Sequence, residues 1–263
     1  AGCGGGDDPA APATPSTPLN LVGLAQSDAR FTTLVSAVVK AGLDGALSGT
    51  TELTVFAPTN AAFDAAATAI GLADGPALVA ALPGTELAKV LKYHVVAGRN
   101  LAASLTTGNL GTLYTFSGSA ATLKVDTTAG VQITDEILTV ATVTTADLQA
   151  SNGVIHVIDK LLVPPGVLNV VQMAQLNSTF SSLVNAVVAT GLTGTLSDAN
   201  ATLTVFAPTN AAFQAADALI QTLTNNQVAT VLSYHVLNSI VLAAGIPFGT
   251  PVATLAGQNI TIN

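Results

Sequence analysis

The chain has 263 residues, 49% of them hydrophobic and only 8% charged, and its formal net charge of −8 is set against seven scattered Lys and Arg. Phosphate recognition needs clustered cations, so this composition excludes a nucleic-acid partner and disfavours direct attraction to an anionic membrane surface. No apolar run reaches the roughly 20 residues of a membrane helix, and the single cysteine, Cys3, has no partner for an internal disulfide.

Residues 1–18, AGCGGGDDPAAPATPSTP, carry too little apolar surface to fold and are predicted to form a tether. Ala1-Gly2 ahead of Cys3 resembles the end of a bacterial lipoprotein signal. Cys3 is therefore expected to carry lipid, and to be the only tie to a membrane. The folded part opens at Leu19. Phe31, Leu34, Val35 and Val38 fall at i, i+3, i+4 and i+7, an amphipathic helix that Gly42 is placed to end. LTVFAPTNAAF follows at 53–63. Thr54, Val55 and Phe56 suit a strand, Pro58 stops it, and Thr59 and Asn60 offer side-chain oxygens to cap an Ala-rich helix whose first large apolar residue is Phe63.

Leu87, Val90, Leu91 and His94 give a second helical stripe, with Tyr93 beside the histidine. Strands are predicted at 113–116, 121–125, 131–134 and 137–144, separated by Gly and Ser turns, and Asp135-Glu136 reads as solvated surface charge. An Asn152-Gly153 turn then leads to a strand at 154–158. That strand is apolar on both faces and so expected to be covered on both, before Pro164-Pro165 stops the run.

The same order then returns. LTVFAPTNAAF recurs letter for letter at 203–213, with Thr209 and Asn210 in the capping positions. FSSLVNAVVATGL matches FTTLVSAVVKAGL at eight of 13 residues, and QVATVLSYHVLNS sets Tyr234-His235 opposite Tyr93-His94. This is a duplication, and two domains are expected, at 19–165 and 166–263. No counterpart of NGVIHVID occurs between Gly257 and Asn263. The second domain is therefore expected to be C-terminally incomplete, its last strands supplied by further residues of the natural protein or by a neighbouring chain.

All three histidines lie inside shared motifs. On a strand His156 shares a face with Val154 and Ile158 while Asp159 points the other way, so no His–Asp pair is preassembled there. Structural hydrogen bonding is the expected role of each imidazole. The sequence shows no close-spaced metal ligands, no phosphate-binding loop and no nucleophile elbow, so neither a catalytic residue, a metal site nor a cofactor is expected.

TVFAPTNAAF, then Tyr-His after VLxYHV, then NGVIHVID with LLVP behind it, in that order and within a duplication, resemble tandem fasciclin domains. The resemblance implies an α+β fold, a two-sheet β-sandwich or wedge with helices packed on one side. It implies a place outside the cell or on its surface, in adhesion or matrix association, by binding a protein or glycan without turnover. Tyr93, His94, Tyr234 and His235 become the candidate adhesion residues; Thr59, Asn60, Asn152, His156, Thr209 and Asn210 are motif positions with structural work. The family often has an acid where Asn60 and Asn210 stand. A few relatives bind apolar pigments, so a carrier of a carotenoid or lipid-like molecule is one alternative. The other is a self-assembling surface or fibre subunit completed by a neighbour's strand.

Overall fold

The computed structural model describes residues 18–198, 200–242 and 245–263. Cys3 and the rest of the expected tether up to residue 17 lie outside the described residues. In the first copy the helices α1 (Leu21–Gln26), α2 (Thr32–Ala41) and α3 (Asp44–Ser48) lead into β1 (Leu53–Pro58). Then α4 (Asn60–Ala69), α5 (Gly75–Ala81) and α6 (Gly84–Tyr93) return to β2 (Val95–Ala97). The expected terminators are in place: Gly42 takes the left-handed φ of +66° behind α2, and the Thr59 side chain accepts from Ala62 N to cap α4.

A meander of β3 (Gly108–Phe116), β4 (Ser119–Asp126), β5 (Gln132–Thr134) and β6 (Val140–Ala150) precedes β7 (Gly153–Ile158). All seven strands join one sheet in the order β2-β1-β7-β6-β5-β4-β3. β7 runs parallel to β1, and every residue of both is buried, as an apolar strand with two covered faces requires. β6 breaks register between Val143 and Thr145 and again before Leu148; its start pairs with β5 and the rest with β7. These irregularities bend the strand and curl the sheet into a barrel-like wedge, so the two halves expected of a sandwich are continuous. One core, with Phe31, Leu34, Phe63, Leu87 and Ile155, lies between helices and sheet; another, with Phe56, Tyr93, Leu123, Ile133 and Ile158, fills the wedge. The strand expected from residue 137 begins only at Val140, because residues 135–139 are folded into a tight loop around Asp135.

The second copy repeats this order without a counterpart of α5 among the described residues, with α7 (Val170–Leu176), α8 (Ser181–Ala189), α9 (Thr193–Leu196), β8 (Thr204–Val205), α10 (Asn210–Ile220), α11 (Asn225–Tyr234) and β9 (Val236–Leu237). A small hairpin, β10 (Pro251–Ala253) with β11 (Asn259–Thr261), completes the described elements. The repeated run now has different surroundings. Residues 53–58 are all buried, whereas 203–208 are half-buried, and β8 is paired with β9 alone among the described residues. A smaller core forms around Val171, Leu183, Val187, Leu196, Leu232 and Val236.

Candidate functional site

α6 ends at Tyr93, one residue short of the expected stripe, and His94 closes it as the C-cap. The imidazole is 1% exposed. Its Nδ1–H donates to Val90 O at 2.8 Å, which makes Nε2 an acceptor, and Leu162 N–H donates to that atom at 3.0 Å. Burial pulls the pKa down to about 4 against the opposing Val90 bond, so the ring is neutral at physiological pH. Tyr93 faces the wedge core instead. Its hydroxyl donates to Thr122 O at 3.0 Å, and its ring meets Tyr114 edge-on at 6.4 Å. Burial, and then the charges of Glu136 and Asp135, push the Tyr93 hydroxyl above its usual range.

His156 on β7 is likewise enclosed. Nε2–H donates to Asn100 O at 2.8 Å, Nδ1 accepts from Asp147 N at 3.3 Å, and the ring stacks on Phe56 with 5.5 Å between centroids. The Asp147 carboxylate stands 3.9 Å from Nδ1 and is occupied by Ala102 N–H at 2.8 Å. The nearest acid to this imidazole therefore comes from the β6 bulge, where Asp147 takes φ +59°, and it forms no relay. Asn152 bonds three ways from inside: Oδ1 accepts from Leu21 N, and Nδ2 donates to Leu47 O and Gly49 O, at 2.7–2.9 Å. Gly153 after it is obligatory, since a Cβ there would run into the carbonyl oxygen of Leu53 on β1.

Asn60 has a different job from the cap expected of it. Oδ1 accepts from Thr33 N at 3.0 Å and Nδ2 donates to Ala29 O at 2.9 Å, which staples the start of α4 to the start of α2. Asn210 repeats this with Ser182 N and Ser178 O, while Thr209 caps α10 through Ala212 N. An amide both donates and accepts; an acid at this position would keep only the accepting half.

Asp135, read from sequence as solvated, is 4% exposed. Oδ1 accepts from Ile137 N and Thr139 N at 3.2 and 2.9 Å, and Oδ2 accepts from Val163 N at 3.0 Å. Burial raises its pKa to about 6 in spite of those three donors. The reading failed because the stabilising partners are backbone amides, two from its own loop and one 28 residues away; only the Asp-x-Ile-x-Thr turn spacing hinted at the local pair. His94 and Asp135 thus grip consecutive amides, Leu162 and Val163, of the segment that leaves β7. In the second copy His235 Nδ1–H donates to Val231 O at 2.7 Å and no bond to its Nε2 is found among the described residues. Tyr234 is 37% exposed, with its hydroxyl on Asn259 O at 3.1 Å.

Chemically these groups are fasteners. The ring nitrogens of His94 and His156 are taken up by backbone groups, and both oxygens of the buried carboxylate accept from backbone amides. No group of three His, Cys, Asp or Glu side chains is placed to hold a metal ion among the described residues, and no helix there is long and apolar enough to cross a membrane.

Comparison with known proteins finds a family match in each copy. The Fasciclin domain family matches at residues 29–164 and 178–263. Protein sll1483 of Synechocystis sp. is 42% identical over 149 residues, covering 56% of this chain and 74% of that protein. Transforming growth factor-beta-induced protein ig-h3 of Sus scrofa is 32% identical over 225 residues, 82% of this chain but 30% of its own length. A solved FAS1 domain pair from the insect cell adhesion molecule Fasciclin I is 16% identical and aligns over 90% of this chain and 85% of that one, with a TM-score of 0.45.

Proposed function

The chain belongs to the fasciclin-domain family, and from that premise we propose that it is a pair of binding modules, residues 19–165 and 166–263, that attach to a protein or glycan of a matrix or cell surface. The modules act outside the cell, tied to it through lipid on Cys3. The observation that carries this reading is the engagement of His94, His156 and Asp135 by backbone partners, which leaves surface and no reactive constellation among the described residues. Tyr93 and His94 are buried, so the adhesive pair that meets a partner is Tyr234 with His235, exposed and half-buried. Two such modules in series raise avidity beyond that of one.

Immobilised full-length chain should retain matrix proteins or glycans from a defined panel, and Tyr234→Ala with His235→Ala should weaken that retention about tenfold, the loss of one aromatic hot spot. Retention no better than an albumin surface would overturn the proposal. Native protein purified from its source should carry a diacylated Cys3 by intact mass, and an unmodified cysteine would remove the anchor.

The carrier alternative has less behind it. Apolar clefts lie between helices and sheet in both copies, with Leu34, Val38 and His94 in the first and Leu183, Val187 and His235 in the second. They hold only about 40 and 30 Å³ of free space, against the several hundred usual for a ligand pocket. Self-association has one observation in its favour: among the described residues β8 has an unpaired edge where β1, from the same run of sequence, takes β7. Sedimentation should then show mass rising with concentration; a monomer at every concentration would dismiss it.

A further inference from the structure

The segment that joins the copies is held at each step. Leu162 and Val163 are bonded to His94 and Asp135, and the Tyr114 hydroxyl donates to Pro165 O at 3.0 Å. Gly166, at φ +76°, lies so near Phe116 that a Cβ would stand 2.6 Å from the ring. Beyond it Leu176 of α7 packs on the helix-side core of the first copy. Asn177, also buried, donates through Nδ2 to Ile137 O at 2.6 Å, in the loop built on Asp135.

The duplication supplies an internal comparison. The counterpart of Asn177 is Asp28, and each side chain caps a short 3-10 turn by accepting from the amide two residues on, Thr179 N or Arg30 N. Asp28 then turns to the Arg30 guanidinium at 2.7 Å near the surface. A carboxylate at 177 would offer no donor to Ile137 O and would bring a third negative charge beside Asp135 and Glu136. Asparagine keeps the cap and adds the N–H that this position uses. We infer that the Asp135–Thr139 loop is a docking surface for the start of the second copy, so that the two copies form a fixed pair and not two beads on a hinge.

The test uses the full chain with Cys3→Ser and spin labels on cysteines at Ser36 and Asn226, both exposed. Pulsed dipolar spectroscopy should return one narrow distance distribution. Asn177→Asp, which retains the cap but removes the donor, should broaden it about twofold or more, toward the free motion that is the default between domains. A broad distribution in the parent overturns the inference, and so does an unchanged width in the variant. Should Asn177→Asp lose its native circular dichroism, Asn177→Ser, which caps without reaching Ile137, is read by the same two outcomes.

Discussion

His94 stays neutral in the fold down to about pH 4, whereas an unfolded histidine takes a proton near 6.5. Its contribution to stability is fully present above pH 6.5 and is lost as pH falls toward 4, a span worth roughly 3 kcal/mol. Asp135 runs the other way. Its pKa rises from 3.8 to about 6, so its contribution is complete below pH 3.8 and disappears as pH rises through 6, again roughly 3 kcal/mol. The titratable groups that face Asp135 are Glu136, whose carboxyl is also raised by burial, and the Tyr93 hydroxyl, which stays protonated throughout. Between pH 4 and 6.5 the two slopes nearly cancel, and urea denaturation of the parent should show a nearly flat stability there. Asp135→Asn should lose roughly 3 kcal/mol on acidification over that range, and His94→Gln should gain stability instead. A variant that tracks the parent's pH profile would refute the assignment for its residue. At Gly153 the prediction is steric: Gly153→Ala forces β7 away from Leu53 and should cost more than about 4 kcal/mol, read as loss of the first copy's cooperative melt.

Identical segments with unlike fates define what an element inherits from its own residues. LTVFAPTNAAF makes a strand stop and a capped helix in both copies, because Pro58, Thr59 and their counterparts act locally. Burial is not local. In the first copy β7 covers β1, while in the second the same side chains are half-exposed. Amides of Val55 and Ala57 should therefore exchange hydrogen about 100-fold more slowly than those of Val205 and Ala207, and equal rates would show that the strands are equally protected. The same distinction separates what could be read in advance. The stripe ended by Gly42, the turn at Asn152-Gly153 and the two-faced β7 carry strong periodic or turn signals. α5 is too short to show a period; its only marks are at its start, where Asp74 caps it through Ala77 N and Pro76 sits in its first turn. Asn60 looked like a cap because its type suits one, and its staple to Ala29 and Thr33 exists only once α4 has met the start of α2. Asn60→Asp should destabilise by about 1 kcal/mol in chemical denaturation, the loss of a single donated bond.

Taken whole, the described residues are held together almost without ion pairs. The Lys and Arg bridges, Arg30–Asp28, Lys89–Glu86 and Arg99–Glu52, each keep at least one partner well exposed. Such pairs contribute little and salt screens them, so the melting temperature should move by less than about 3 °C between low salt and 1 M sodium chloride. A larger fall would reveal an electrostatic network that the fold does not display. Cohesion rests on small aliphatic cores and on polar side chains that tie backbone to backbone.

The path of the backbone through the first copy has a mechanical meaning. The chain enters at Leu19 and Leu21, bonded to Ser151 and Asn152 at one end of β7, and departs beyond the other end through Leu162 and Val163. Tension applied between the entrance and the exit of the first copy therefore runs along a single central strand. It loads the parallel β1 ladder in shear, where many bonds must part together, and spares the helices and the meander.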